Sequence, residues 1–144
     1  MGRERVKHLS TAEETQLLGY ELTRKNPPTN TILALQGDLG AGKTTFVQGL
    51  AKGLGITDLV QSPTFTYLQI YEGSIPLYHF DLYRLKNESD FILLGFEEYF
   101  DTGGLVVIEW PERIASLIPP TAQLITLSHV EGGRNAFLQS WGER

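Results

Sequence analysis

The sequence predicts an α/β fold, and three features of it carry that prediction. Two short apolar runs, Thr31–Gln36 and Leu105–Ile108, read as strands inside a sheet, the second buried on both faces. The first leads directly into Gly37-Asp38-Leu39-Gly40-Ala41-Gly42-Lys43-Thr44, after which Thr44–Leu54 reads as a helix. Two further pairs of strand-like segments, each around a glycine turn, predict hairpins. At 144 residues the chain is expected to form one domain over residues 1–144.

The elements follow in order. Ser10 or Thr11 caps a first helix, with Glu13 or Glu14 completing a capping box. That helix runs to about Arg24, with Leu18 and Leu22 on its inner face, and Asn26-Pro27-Pro28 stops it. The strand, glycine-rich loop and second helix come next, and Gly55 closes that helix as a left-handed cap. Gln61–Phe65 is a connector. Thr66–Tyr71 and Ile75–Leu85 are strands around Gly73-Ser74. Asn87–Phe100 is expected to be helical, anchored by Phe91 and Leu94, with Gly103-Gly104 opening the next loop. After the buried strand a short helix spans Trp110–Ile118, entered at Pro111 and closed by Pro119-Pro120. Gln123–Val130 and Asn135–Trp141 form a terminal hairpin.

The loop at Gly37–Thr44 matches G-x-x-x-x-G-K-[ST] in the strand–loop–helix context that gives the pattern physical meaning. Glycines let successive N–H groups point at phosphate oxygens, and the helix N-terminus adds partial positive charge. A chance match in a chain of this length falls below roughly one in a hundred. The nucleotide-binding residues are therefore expected to be Asp38, Leu39, Gly40, Ala41, Gly42, Lys43, Thr44 and Thr45. Lys43 is expected to reach the β- and γ-phosphates of a bound nucleotide, and the Thr44 hydroxyl to ligate Mg²⁺. Segment Leu9–Thr11, Thr11 in particular, and the loops near Arg113 are candidate adenine walls.

Such a loop needs a carboxylate at the tip of a neighbouring strand. Glu109 closes the run Leu105–Ile108, placed either to meet Mg²⁺ through water or to orient the attacking water; the plain alternative is a strand-end carboxylate in solvent. Asp81 lies in Tyr78–Arg84, where alternation puts Tyr78, Phe80 and Leu82 on one face and His79, Asp81 and Tyr83 on the other. Asp81 ligates Mg²⁺, positions water or is a member of a hydrogen-bond ladder, and His79 alone reads as structural. Lys43, Asp81 and Glu109 are the candidate catalytic residues, and Thr44, Thr64, Asp81 and Glu109 the candidate metal ligands. Thr64 sits where a switch loop senses the γ-phosphate, or is simply part of a turn. Arg84 and Arg113 are transition-state cations or surface residues, and Trp110, close to the site, is a core-edge residue, faces a partner or lies near the nucleotide.

Other features narrow the class. No Asn-Lys-x-Asp stretch is present, and the D-x-x-G at Asp101–Gly104 precedes the buried strand, so adenine is favoured over guanine. The net charge of −5 argues against direct gripping of nucleic acid. Arg3, Arg5 and Lys7 are expected to form a solvated tail. With no cysteine, disulfide and thiolate chemistry is excluded. No apolar run approaches the roughly 20 residues of a membrane span and no secretory h-region opens the chain, so a soluble cytoplasmic protein without membrane association is expected.

Four blocks, GDLGAGKTT (Gly37–Thr45), SPTF (Ser62–Phe65), YHFDLYRL (Tyr78–Leu85) and VIEWPER (Val107–Arg113), occur in an order and spacing that closely resembles the bacterial TsaE (YjeE) family, small ATPases of tRNA threonylcarbamoyladenosine biosynthesis. The likeness extends from the N-terminal helix through the strand after Pro120. It implies a three-layer P-loop NTPase fold whose central sheet is mixed and partly antiparallel. It also implies weak ATP hydrolysis, Mg²⁺, and partner proteins TsaD and TsaB that stimulate it, with tRNA reached only through that complex. By position, Lys43 and Thr44 then bind phosphate and Mg²⁺, Thr64 belongs to the switch region, and Asp81 and Glu109 serve metal binding and hydrolysis. Two other readings of the residues stand beside it: a small-molecule P-loop kinase, and an ATP-sensing module that does not hydrolyse.

Overall fold

A computed structural model of the chain describes residues 5–38, 40–63 and 65–144. Strands β1 (Val6–Leu9), β2 (Thr31–Gly37), β3 (Leu68–Tyr71), β4 (Leu77–Asp81), β5 (Leu105–Glu109), β6 (Gln123–Val130) and β7 (Gly133–Ser140) form one sheet in the order β1-β7-β6-β2-β5-β4-β3. The four central strands, β6, β2, β5 and β4, are parallel, and β7 and β3 run antiparallel to them on either side. The expected mixed sheet is therefore present, with both hairpins contributing its antiparallel parts.

Alternation along the central strands fills both faces. Leu33, Leu35, Leu105 and Val107 pack with Phe46, Val47 and Leu50 of helix α2 (Lys43–Gly53) and with Leu18 of helix α1 (Ala12–Thr23). Ile32, Ala34, Val106 and Ile108 pack on the other side with Phe80, Phe91, Ile114 and Trp141. Helices on both faces of the sheet make three layers. Segments that alternate apolar and apolar, as β5 does, have to be covered on both sides, and this chain covers them.

Several boundaries differ from expectation for identifiable reasons. Thr11 is the N-cap of α1, accepting from the Glu14 N–H at 3.1 Å, while Glu14 accepts from the Ser10 N–H. The inner stripe of α1 is Thr15, Leu18, Gly19 and Thr23, and Leu22 is exposed. Glycines set that stripe: a Cβ at Gly19 would strike the Phe46 carbonyl, and one at Gly49 would strike Gln16, so the two helix backbones lie against each other. Thr23 Oγ1 donates to the Leu50 carbonyl across the contact at 2.9 Å. The helix expected over Asn87–Phe100 is two pieces, α3 (Glu88–Leu93) and a 3-10 segment Phe96–Asp101, because Gly95 turns left-handed at φ 76°. Phe91 is buried as expected, whereas Leu94, at the end of α3, is exposed. The Pro111–Leu117 segment is 3-10 and kinks at Ile114.

The N-terminal segment is a correction too. Arg5 and Lys7 do not belong to a solvated tail: Val6–Leu9 pairs with β7, the Arg5 carbonyl accepts from the Leu138 N–H at 2.8 Å, and the Arg5 guanidinium meets Glu143 at 2.8 Å. The open edge of β7 needs a backbone partner more than a hydrophobic one, and of this strand only Leu9 is buried. Arg3 lies outside the described residues. Among the described residues no helix is long and apolar enough to cross a membrane.

Candidate functional site

The parallel strands end together, and the register across them is a straight row. Leu35 pairs with Glu109, and Glu109 pairs with Asp81. The glycine-rich loop leaves β2 two residues beyond that row, so the loop, Glu109 and Asp81 share one edge of the sheet. Ligands of open α/β sheets bind outside the carboxyl ends of their strands, and this is that end.

The loop geometry suits an anion. Gly40 and Gly42 take φ of 79° and 99°, which L side chains rarely adopt. Gly42 is the N-cap of α2 and no side chain caps the helix, leaving the first-turn N–H groups for another acceptor. Gly37 is needed for close packing, since a Cβ there would lie 2.6 Å from the Leu127 carbonyl of β6. Asp38 accepts from the Ala41 N–H at 3.0 Å, and Ala41 is buried. Thr44 is exposed and Thr45 half-buried, one and two residues beyond the helix start. Leu39 lies outside the described residues, as does Thr64.

Behind the loop stands a residue that sequence reasoning missed. Arg134 of β7 donates from Nη2 to the Gly40 carbonyl at 3.1 Å, and its stem crosses so close to Gly42 that a Cβ there would lie 3.1 Å from Nε. That Nε is buried without a hydrogen-bond partner among the described residues. Thr15 of α1 closes the same wall. Nothing in the sequence marks an arginine after a Gly-Gly turn, because the contact spans 94 positions. Thr11 sits at the start of α1 beside this wall, whereas Arg113 lies near the end of β5, donating to the Tyr83 carbonyl at 3.1 Å.

Glu109 is the centre of the opposite side. It is buried, not in solvent. Its Oε1 lies 4.0 Å from the Lys43 Nζ and its Oε2 2.6 Å from Nε2 of His79, which is wholly buried. Lys43 also stands 5.3 Å from the centre of the Trp110 ring, and Trp110 packs against Tyr83 at 4.9 Å. Trp110 takes φ 60°, a left-handed conformation for a bulky residue at the tip of the buried strand. Asp81 is separately engaged: Oδ2 accepts from the Ser62 hydroxyl at 2.6 Å and Oδ1 from the Tyr83 N–H at 3.1 Å. The connector before β3 is thereby tied to the strand edge. Arg84 instead stacks on Phe65, 5.2 Å from the ring centre. A shallow cleft lined by Asn30, Thr31, Phe100 and Thr121 lies at the opposite edge of the sheet, where β2 begins, remote from these groups.

The family model described as threonylcarbamoyl adenosine biosynthesis protein TsaE matches residues 9–136. This chain belongs to the TsaE family. A TsaE relative from Bacillus subtilis, described as a tRNA threonylcarbamoyladenosine biosynthesis protein, is 47% identical over 108 residues, covering 74% of this chain and 66% of its own length. The like-named TsaE protein of Treponema pallidum is 48% identical over 103 residues, 72% of this chain and 76% of its own. The chain thus spans just under two thirds of the first relative. A crystal structure of Bacillus subtilis YdiB superimposes with a TM-score of 0.77 at 35% identity, covering 99% of this chain and 91% of that one. The P-loop NTPase architecture expected from the TsaE resemblance is the architecture found.

Proposed function

We propose that this chain is a Mg²⁺-dependent ATPase that supports tRNA N6-threonylcarbamoyladenosine modification, binding a TsaD–TsaB complex and hydrolysing ATP for its turnover in the cytoplasm. The observation that carries the ATPase reading is the meeting of an uncapped helix N-terminus and Lys43 with the buried Glu109 carboxylate, 4.0 Å from the ammonium. The pathway comes from what the relatives are named for, and the TsaD–TsaB pair is what the family resemblance implies.

The donors available suit Mg²⁺, which takes oxygen ligands and is usually held by one or two carboxylates together with substrate phosphates. Thr44, Asp81 and Glu109 would hold the ion, which would supply positive charge to offset that of the phosphates. The remaining chemistry belongs to the chain. Loop amides and Lys43 bind the phosphates and hold them as charge builds on the leaving oxygen. Water attacks the γ-phosphorus in line, its oxygen bonding to phosphorus as the bond to ADP breaks, and Glu109 or Asp81 orients that water. Tying the Ser62–Pro63 connector to Asp81 gives a partner a loop to order or release.

The test is steady-state ATP hydrolysis by the purified chain, alone and with a TsaD–TsaB pair, with Lys43→Ala as blank. Strong stimulation by the pair is expected. ATP binding without stimulation would remove the partner-driven reading, and phosphorylation of an added small hydroxyl acceptor would replace it with a kinase.

A further inference from the structure

We infer that His79 is a positioning residue for Glu109, dictating which carboxylate oxygen faces the nucleotide; this rests on the ATPase reading of the same site. Neither the phosphate loop nor the row of strand ends requires a histidine here, yet the ring is wholly buried and points its Nε2 at Glu109 Oε2 from 2.6 Å. An ionised carboxylate accepts only, so Nε2 carries the proton and donates it. The other nitrogen, Nδ1, is buried with no partner among the described residues.

That unmet atom decides between packing and purpose. A histidine kept only to fill the core leaves a polar group unsatisfied, a penalty that an apolar side chain at the same place avoids. What the ring gains in exchange is the single bond to Glu109. The bond occupies Oε2 and leaves Oε1, the oxygen nearer Lys43, as the one directed toward the loop. Strand geometry makes the arrangement stiff. His79 pairs with Val107 and Asp81 with Glu109 in the β4–β5 ladder, so the imidazole and the carboxylate project from neighbouring strands on the face that carries α2. A carboxylate held by one oxygen loses its freedom to rotate, and misplacement on the scale of an ångström is enough to lose most of a positioned group's effect.

The experiment compares His79→Gln, whose amide nitrogen can still donate to Glu109, with His79→Leu, which keeps volume and loses the donor. Each is assayed for kcat and KM for ATP with the partner pair, for ATP affinity by calorimetry, and for melting temperature. The expected result is a kcat lower by about 10- to 100-fold in His79→Leu with ATP affinity within about threefold, and substantial recovery of kcat in His79→Gln. Should His79→Leu fail to fold, His79→Asn, whose shorter amide falls short of Glu109, takes its place. Wild-type kcat in the donorless variant, or equal losses in the Gln and donorless variants, would overturn the assignment while leaving the ATPase intact. Absence of hydrolysis by the parent chain even with the pair would overturn the ATPase reading and this assignment with it.

Discussion

Lys43 meets two kinds of partner at once, the Glu109 carboxylate at 4.0 Å and the face of Trp110 at 5.3 Å. Its charge is therefore already placed before any phosphate arrives. Lys43→Ala is expected to weaken ATP binding and abolish turnover, read by calorimetry and phosphate release; near-normal hydrolysis would remove the loop from the chemistry. Glu109→Ala and Asp81→Ala act differently, because both carboxylates stand at strand ends and not in the loop. Each should lower turnover more than ADP affinity, and a variant with an unchanged rate loses its place in the mechanism. At this scale the sequence was legible where chemistry sits in a contiguous motif. Gly37–Thr44 could be read directly, and alternation correctly put His79 and Asp81 on the face opposite Phe80. The bond between His79 and Glu109 could not be read, since 30 positions separate them and only the β4–β5 register unites them. Arg134 was hidden for the same reason.

Helices α1 and α2 touch through glycines, and this contact supports the loop from behind. Gly49→Ala sets two effects against each other. Alanine raises helix propensity by about 1 kcal/mol, but its Cβ would meet the Gln16 backbone with no flexible side chain to yield. Overpacking of this kind costs about 1–3 kcal/mol, and more when backbone has to move, so net destabilisation is expected. Urea unfolding measures it; a higher midpoint would show that the helices are not in backbone contact. Element starts were legible because caps are local: Thr11 and Asn87 both accept from the N–H three residues on. Element ends were less so. The apolar spacing continues across Gly95, and only the left-handed turn there reveals that Leu94 faces solvent. The first strand escaped because a four-residue edge segment with one buried side chain has almost no periodic signal.

Across the whole molecule, the first and last strands are partners, and their far ends are pinned by Glu143. The Arg5 guanidinium, together with the Ser140 N–H and hydroxyl, holds the Glu143 carboxyl down at about 2 from an ordinary 4.5. The Ser116 hydroxyl and N–H lower Glu88 in the same direction where α3 meets the Pro111–Leu117 segment. A carboxyl with a lowered folded-state pKa stabilises fully above its unfolded value and progressively less as pH falls toward the folded one. Melting temperature should therefore decline from about pH 4.5 toward pH 2, and Glu143→Gln should flatten the decline; an identical profile in that variant would leave the clasp without weight. The same clasp has a mechanical meaning. Val6 opposite Phe137 lies at the outer end of the β1–β7 ladder, and Leu9 opposite Arg134 at the inner end. Tension applied between Arg5 and Glu143 would load these bonds one after another, as a zip is opened, and never all together. The pair beside Arg134 would part last, so under load the phosphate loop keeps its brace until the strand that shields it has been peeled away.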